Sequence, residues 1–248
     1  MFRTHELWLL LAVCGSACHS RASIPAPTGA PPAPRAPIAL TYLGVAGWQL
    51  EAADKVVITD PYLSRPADAE APLVPDAAAI AAHTPARADL VLVGHSHHDH
   101  LLDAPSVALR TGAPLLGSLS TIRVGRASGL DDDHLIAVAG GDDLAFAGFS
   151  VRAIPSLHSR IGDRSLFAEI AADPKLPMPA AQYRDGGTLA YLIRIAGHEV
   201  LVLDTANFGA DSFSQSNKLF SPNALLYEGS DGLQGTSISA ATRNLNWN

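Results

Sequence analysis

Cysteine is almost missing from this chain: it has two, Cys14 and Cys18, and both precede Ser20. Whatever folds beyond them has no disulfide, so a packed core and any bound metal must hold it together. A basic balance is missing too, with 17 Lys and Arg against 24 Asp and Glu and a formal net charge of -7. Tracking nucleic-acid phosphates needs the opposite sign, so no nucleic-acid partner is expected. The apolar stretch Leu7 to Val13 falls short of the ~20 residues that span a bilayer permanently. No histidine follows His198.

Residues 1–19 read as an export signal, with Arg3, then Leu7 to Val13, then small side chains. An exported bacterial protein is the expectation, either in the cell envelope or periplasmic or secreted. Gly15-Ser16-Ala17-Cys18 resembles a lipoprotein cleavage site, in which Cys18 is lipidated; simple secretion with cleavage nearby is the alternative. Residues 20–37 hold Pro25, Pro27, Pro31, Pro32, Pro34 and Pro37, which suit neither a helix nor a central strand. They form a spacer, and membrane contact is expected only through a lipid on Cys18.

From Ile38 onward the pattern becomes one α/β domain, residues 38–228. Strands are expected over Ile38 to Leu43, Trp48 to Ala52 and Lys55 to Thr59, the last stopped by Asp60-Pro61. Asp76 to His83 and Ser120 to Ala127 read as helices. A third runs from Asp103 to about Arg110, with Asp103 as N-cap. Leu90 to Val93 is apolar without alternation, the mark of a strand covered on both faces. Ala113 to Leu116, His134 to Val138, Leu144 to Phe146, Phe149 to Ile154, Thr188 to Ile195, Glu199 to Asp204 and Asn223 to Glu228 supply further strands.

Directly after Leu90 to Val93 comes Gly94-His95-Ser96-His97-His98-Asp99-His100. Imidazole nitrogen and carboxylate oxygen are the donors that zinc and similar divalent ions prefer. A strand ending in glycine can aim several of them at one point. His158 and Asp204 each close a strand, as does Asp60. His98 is expected to point away from the ligands. Asp131 to His134 reads as a solvated turn, and His198 as an exposed one.

The spacing His-x-His-x-Asp-His resembles the signature loop of the metallo-β-lactamase-fold hydrolases, and the likeness covers roughly Leu40 to Glu228. Thr41 to Gly47 and Gly187 to Leu192 look most like the branch of sugar-phosphate lactonases and N-acylethanolamine phospholipid phosphodiesterases. The resemblance implies a four-layer αββα sandwich and two divalent ions, zinc above all, with manganese or iron as alternatives. It assigns His95, His97 and His158 to one ion, and Asp99, His100 and Asp204 to the other, with Asp204 bridging. Asp60 is implied to brace the loop. Asp99 is the expected catalytic carboxylate, and a metal-bound hydroxide would cleave an ester, lactone or phosphodiester bond of a small or lipid-like substrate.

Relatives of that kind continue past this point and supply a last histidine. Here residues 229–248 are polar and without period, which suggests a truncated or altered C-terminal part. A non-catalytic remnant is therefore the alternative function, whereas a true β-lactamase rests on analogy alone. The connection from Ser159 to Gly187 is expected to wall the substrate pocket, with Phe167, Leu176, Met178 and Tyr183 as contacts.

Overall fold

A computed structural model describes residues 35–159 and 166–205, and the backbone of 224–227. The expected export signal, Cys18, most of the spacer and the tail from residue 229 lie outside the described residues. No described helix is long and apolar enough to cross a membrane.

The first sheet runs β1 (Ala39–Gly44), β2 (Gly47–Ala52), β3 (Lys55–Thr59), β4 (Leu90–Leu92), β5 (Leu115–Gly117) and β6 (Leu135–Ala137), side by side in chain order. Connection length decides the pairing direction. β2 turns into β3 over Ala53 and Asp54, both at positive φ (49° and 69°), the twist that suits a two-residue antiparallel hairpin. Beyond β3 the neighbours are parallel, because helices make the crossings. These are α1 (Ala77–His83) before β4, α2 (His98–Leu101) and α3 (Ala104–Thr111) after it, and α4 (Leu119–Ala127) after β5.

The second sheet has the order β11 (Ala224–Tyr227), β10 (His198–Leu203), β9 (Leu189–Ile195), β8 (Phe149–Pro155), β7 (Asp143–Phe146). Among the described strands of this sheet, only the β10–β11 pair is parallel. Alternation shows which face each strand buries: β8 turns Phe149, Val151 and Ala153 inward, and β2 turns Trp48, Leu50 and Ala52 inward. They meet Leu90, Leu92, Tyr191, Ile193 and Val202 between the sheets. Each such large side chain contributes about 1.5–3 kcal/mol, so this interior does the work that disulfides do elsewhere.

On the far side of the first sheet, Ile58, Val91 and Val93 pack under Ile80, Val107 and Val124 of the helices. β4 therefore lies between two apolar layers, which accounts for its unalternated sequence. Helices, first sheet and second sheet give three layers. The outer face of the second sheet buries Leu192 and Leu201; the fourth layer of the expected sandwich lies outside the described residues.

Asp103 departs from its expected part. It precedes α3, yet its carboxylate makes no bond to the helix and instead accepts from the Leu63 and Ser64 backbone N–H groups at 2.5 and 2.8 Å. It thus pins the loop that follows β3 to the start of α3. In the described part of the connection after His158, no α-helix forms near residues 166–171; the Ile170 N–H is held by Ser120 Oγ at 2.9 Å.

Strand ends place the site. β3 and β4 finish at one edge of the first sheet, while β8 and β10 finish, and β9 starts, at one edge of the second. The Leu189 N–H donates to the Gly94 carbonyl at 2.8 Å and joins the two edges. Asp60, the loop after β4, His158 and Asp204 all emerge at that seam.

Candidate metal centre

Gly94 has to be small. A Cβ built on it would lie 2.1 Å from Asp204 Oδ2, so the loop passes where no other residue fits. Asp60, fully buried, takes the Gly94 N–H on Oδ1 at 2.8 Å. Its φ of 42° is unusual for a residue with a side chain and costs on the order of 1–3 kcal/mol. That cost places its carboxylate under the loop, 3.4 Å from His100 Nδ1.

α2 then sorts the donors. Successive residues of a helical turn point about 100° apart, whereas positions three apart share a side. His97, the residue before α2, and His100 accordingly turn inward with little exposure, while Asp99 stays on the cavity side, about a third exposed.

Three ring nitrogens converge. His95 Nε2 lies 3.0 Å from His97 Nδ1 and 3.1 Å from His158 Nε2. The protons on two of these rings are committed elsewhere. His95 Nδ1–H donates to Asp204 Oδ2 at 2.6 Å, and His158 Nδ1–H donates to the Ser159 carbonyl at 2.6 Å. With each Nδ1 engaged in this way, the neutral form of each ring turns its Nε2 lone pair toward the other, a contact that a cation would relieve. Tetrahedral zinc with bonds of ~2.0–2.1 Å sets its nitrogens ~3.3 Å apart, close to the spacing found. The donor set therefore fits a divalent ion with a position left open. His97 Nε2 is buried without a hydrogen-bond partner.

The second group differs from the expected one. His95, His100 and Asp204 bring a donor atom each within 4.8 Å of the others, and all three are buried. Asp99 is not among them: its Oδ2 lies 3.9 Å from His100 Nε2 and its carboxylate lines the cavity. Asp204 also orients His95 through the 2.6 Å bond, the carboxylate–histidine arrangement that fixes a ligand's tautomer.

Electrostatics divide the histidines. Burial, helped by the neighbouring imidazoles, pulls His95 well below its ordinary value. Burial and His158 likewise lower His97. Both are neutral at physiological pH, the form a metal needs. For His100 burial pushes down, but Asp99, Asp60 and Asp204 around it prevail and raise it to about 10. Burial pushes Asp99 up, and His100 and His98 outweigh it, so Asp99 is ionised.

These directions predict a pH dependence for the metal-free chain. A histidine lowered on folding is protonated first in the unfolded chain, so its contribution is lost as pH falls through its unfolded value of about 6.5. His100, raised, contributes fully below that value and loses its contribution only as pH rises through about 10. Between pH 6.5 and 5 the melting temperature of chelator-treated protein is therefore expected to drop, and to drop less in His97→Gln. Equal slopes in calorimetry would show that His97 is not held neutral.

The cavity over the cluster has a volume of about 430 Å³ and is lined by His95, His97, His98, Asp99, His100 and His158, together with Leu166, Ala180, Ala181 and Tyr183. His98 thus belongs to the site, against expectation. It lines the cavity and meets the ring of Tyr62 edge-on at 5.9 Å, and Arg65 lies over that Tyr62 ring at 4.6 Å. Its place inside the motif was the available signal; Tyr62, next to Asp60-Pro61, carried none. Of the expected pocket contacts, Phe167 sits edge-on to His158 at 5.5 Å and Tyr183 lines the cavity. Met178 is instead core, and Leu176 lines a different cavity. Asp133 and His134 pair in an exposed turn at 3.1 Å, and His198 Nε2 donates to the Ala36 carbonyl at 2.6 Å.

Comparison with known proteins agrees with this geometry. Residues 39–203 match the model of the "Beta-lactamase superfamily domain". A UPF0173 metal-dependent hydrolase of Aeropyrum pernix is 31% identical over 137 residues, covering 50% of this chain and 52% of that protein. One of Methanopyrus kandleri is 31% identical over 121 residues, covering 48% and 47%. The chain thus spans about half the length of these relatives. Among solved structures, a metallo hydrolase from Ignicoccus hospitalis superposes with a TM-score of 0.52 at 20% identity, covering 76% of this chain and 69% of that one.

Proposed function

Since this chain belongs to the β-lactamase superfamily domain family and has the metallo-β-lactamase fold, we propose that it is a metal-dependent hydrolase of ester, lactone or phosphodiester bonds. The carrying observation is the 3.1 Å approach of His95 Nε2 and His158 Nε2, whose protons are both engaged elsewhere. His95, His97 and His158 would hold one divalent ion, and His100 with Asp204 an adjacent one. Zinc suits this mixture of nitrogen and oxygen donors, as do manganese and iron. When bound, such ions would polarise the scissile group and lower the pKa of water toward ~7.

The chain's own side chains do the rest. Asp204 fixes the tautomer of His95, and the Ser159 carbonyl fixes that of His158. Asp60 keeps Gly94 and the loop in register, so the nitrogens stay aligned without reorganisation as the reaction proceeds. Asp99, ionised and facing the cavity, orients water, accepts its proton at a carboxylate oxygen and returns it to the leaving oxygen.

Metal-loaded protein assayed against a p-nitrophenyl ester, a lactone and bis-p-nitrophenyl phosphate tests this reading. Turnover of at least one, abolished by chelation, is expected. Asp99→Asn is expected to lower kcat by about 10²–10⁴-fold while the metal content holds. A folded, loaded chain inert toward the whole panel would instead be the remnant scaffold.

A further inference from the structure

The cavity over the histidines has two unlike walls. One is the donor cluster; the other, formed by Leu166, Ala180, Ala181 and Tyr183, offers mainly carbon. A second cavity of about 290 Å³ is lined by Leu73, Leu102, Val124, Leu176 and, again, Tyr183. Among the described residues, Tyr183 is the one common to the two linings. It is only 3% exposed and packs in the core with Leu73, Leu102 and Val124. Its backbone N–H is tied to the Ala180 carbonyl at 2.9 Å by the short 3₁₀ turn Ala180–Gln182, which anchors the main chain while the core packing holds the side chain. Burial, with Asp103 nearby, pushes its hydroxyl up to about 12, and the wall therefore carries no charge at neutral pH.

From this arrangement we infer that Tyr183 sets the upper length of the apolar group a substrate can carry. This rests on the reading of the site as a hydrolase centre. The scissile bond lies against the histidines, and a short alkyl or acyl group lies against Leu166, Ala180 and Ala181. The ring of Tyr183 stops that group, and a longer chain is refused because the space it needs is on the far side of the ring. Tyr183 is thus a specificity-determining residue, and the preferred substrates are short-chain.

Ethylphosphonate and octylphosphonate, titrated by calorimetry into the zinc-loaded full chain, read the wall without requiring turnover. Wild type is expected to bind octylphosphonate less than roughly fivefold more tightly than ethylphosphonate, because buried carbon adds affinity only where it is accommodated. Tyr183→Ala is expected to raise that preference at least roughly fivefold above wild type, and Tyr183→Phe to leave it unchanged. Tyr183→Leu keeps apolar packing in the core and gives the same reading should the alanine variant not fold. The kcat/KM ratio of p-nitrophenyl octanoate to acetate is expected to move in parallel. A smaller rise in the folded variants, or a wild type that already prefers octylphosphonate beyond fivefold, overturns the assignment. If no ester, lactone or phosphodiester of the panel is turned over while the phosphonate preference shifts, the hydrolase reading fails and the role of Tyr183 stands. If the enzyme is active and the preference does not move, the hydrolase reading stands and the role of Tyr183 fails.

Discussion

Alanine at position 95 is expected to remove the first metal and the activity together. His95 sits between the other two ring nitrogens at 3.0 and 3.1 Å and is bonded to Asp204, so one truncation takes away both a donor and that bond to the Asp204 carboxylate. Changing a residue that only orients a ligand costs about 10–100-fold in metal affinity or activity. Losing the ligand itself should exceed the top of that range, more than about 100-fold. Competition with a chromogenic chelator reads the affinity, and turnover of whichever panel substrate is active reads the rate. Asp204→Asn is the informative companion. A loss within the 10–100-fold band marks Asp204 as an orienting group, and a loss as large as that of His95→Ala marks it as a ligand as well. Wild-type zinc affinity in His95→Ala would falsify the assignment of the centre.

The second large effect is expected from adding one carbon to Gly94. A Cβ there would lie 2.1 Å from Oδ2, 2.2 Å from Cγ and 2.4 Å from Cβ of Asp204. No rotamer of Asp204 relieves this, because its own Cβ is among the clashing atoms. Nor can the loop back away freely: the Gly94 N–H is held by Asp60 and its carbonyl by the Leu189 N–H, each at 2.8 Å. Overpacking of this kind costs about 1–3 kcal/mol. At roughly 2–4 °C per kcal/mol for a chain of this size, Gly94→Ala is expected to melt about 2–12 °C lower. Because the displaced group is Asp204, metal content should fall with it. A variant that melts and loads like wild type would mean that the seam between the sheets is looser than its hydrogen bonds indicate.

Much of this was legible in the residues themselves. The unbroken apolar run before Gly94 announces a strand buried on both faces, and a glycine followed by closely spaced imidazoles announces donors aimed from its end. His158 and Asp204 were legible for the same reason, as polar residues closing apolar strands. What the sequence concealed depends on partners far along the chain. Asp103 looks like a helix cap because caps are local, yet it is spent on backbone groups 39 and 40 residues away. Asp99 and His100 look like a ligand pair because they are adjacent, and their tips do lie 3.9 Å apart, but the compact group around His100 is completed by His95 and Asp204, which the spacing of the motif does not reveal. Between His158 and β9 the chain has no period, so nothing in it distinguished Met178 in the core from Tyr183 at the cavity.

The bond from Leu189 to Gly94 has a bearing on whether this centre is portable. Its donors grow from three strands in two sheets, and the loop that carries most of them is braced from both sides. Cut out and grafted onto another scaffold, residues 94–100 would keep their histidines and lose their aim. An engineer wishing to move the chemistry would have to move the whole rim of the sandwich, whereas one wishing to alter it can leave that rim alone and rework the wall opposite.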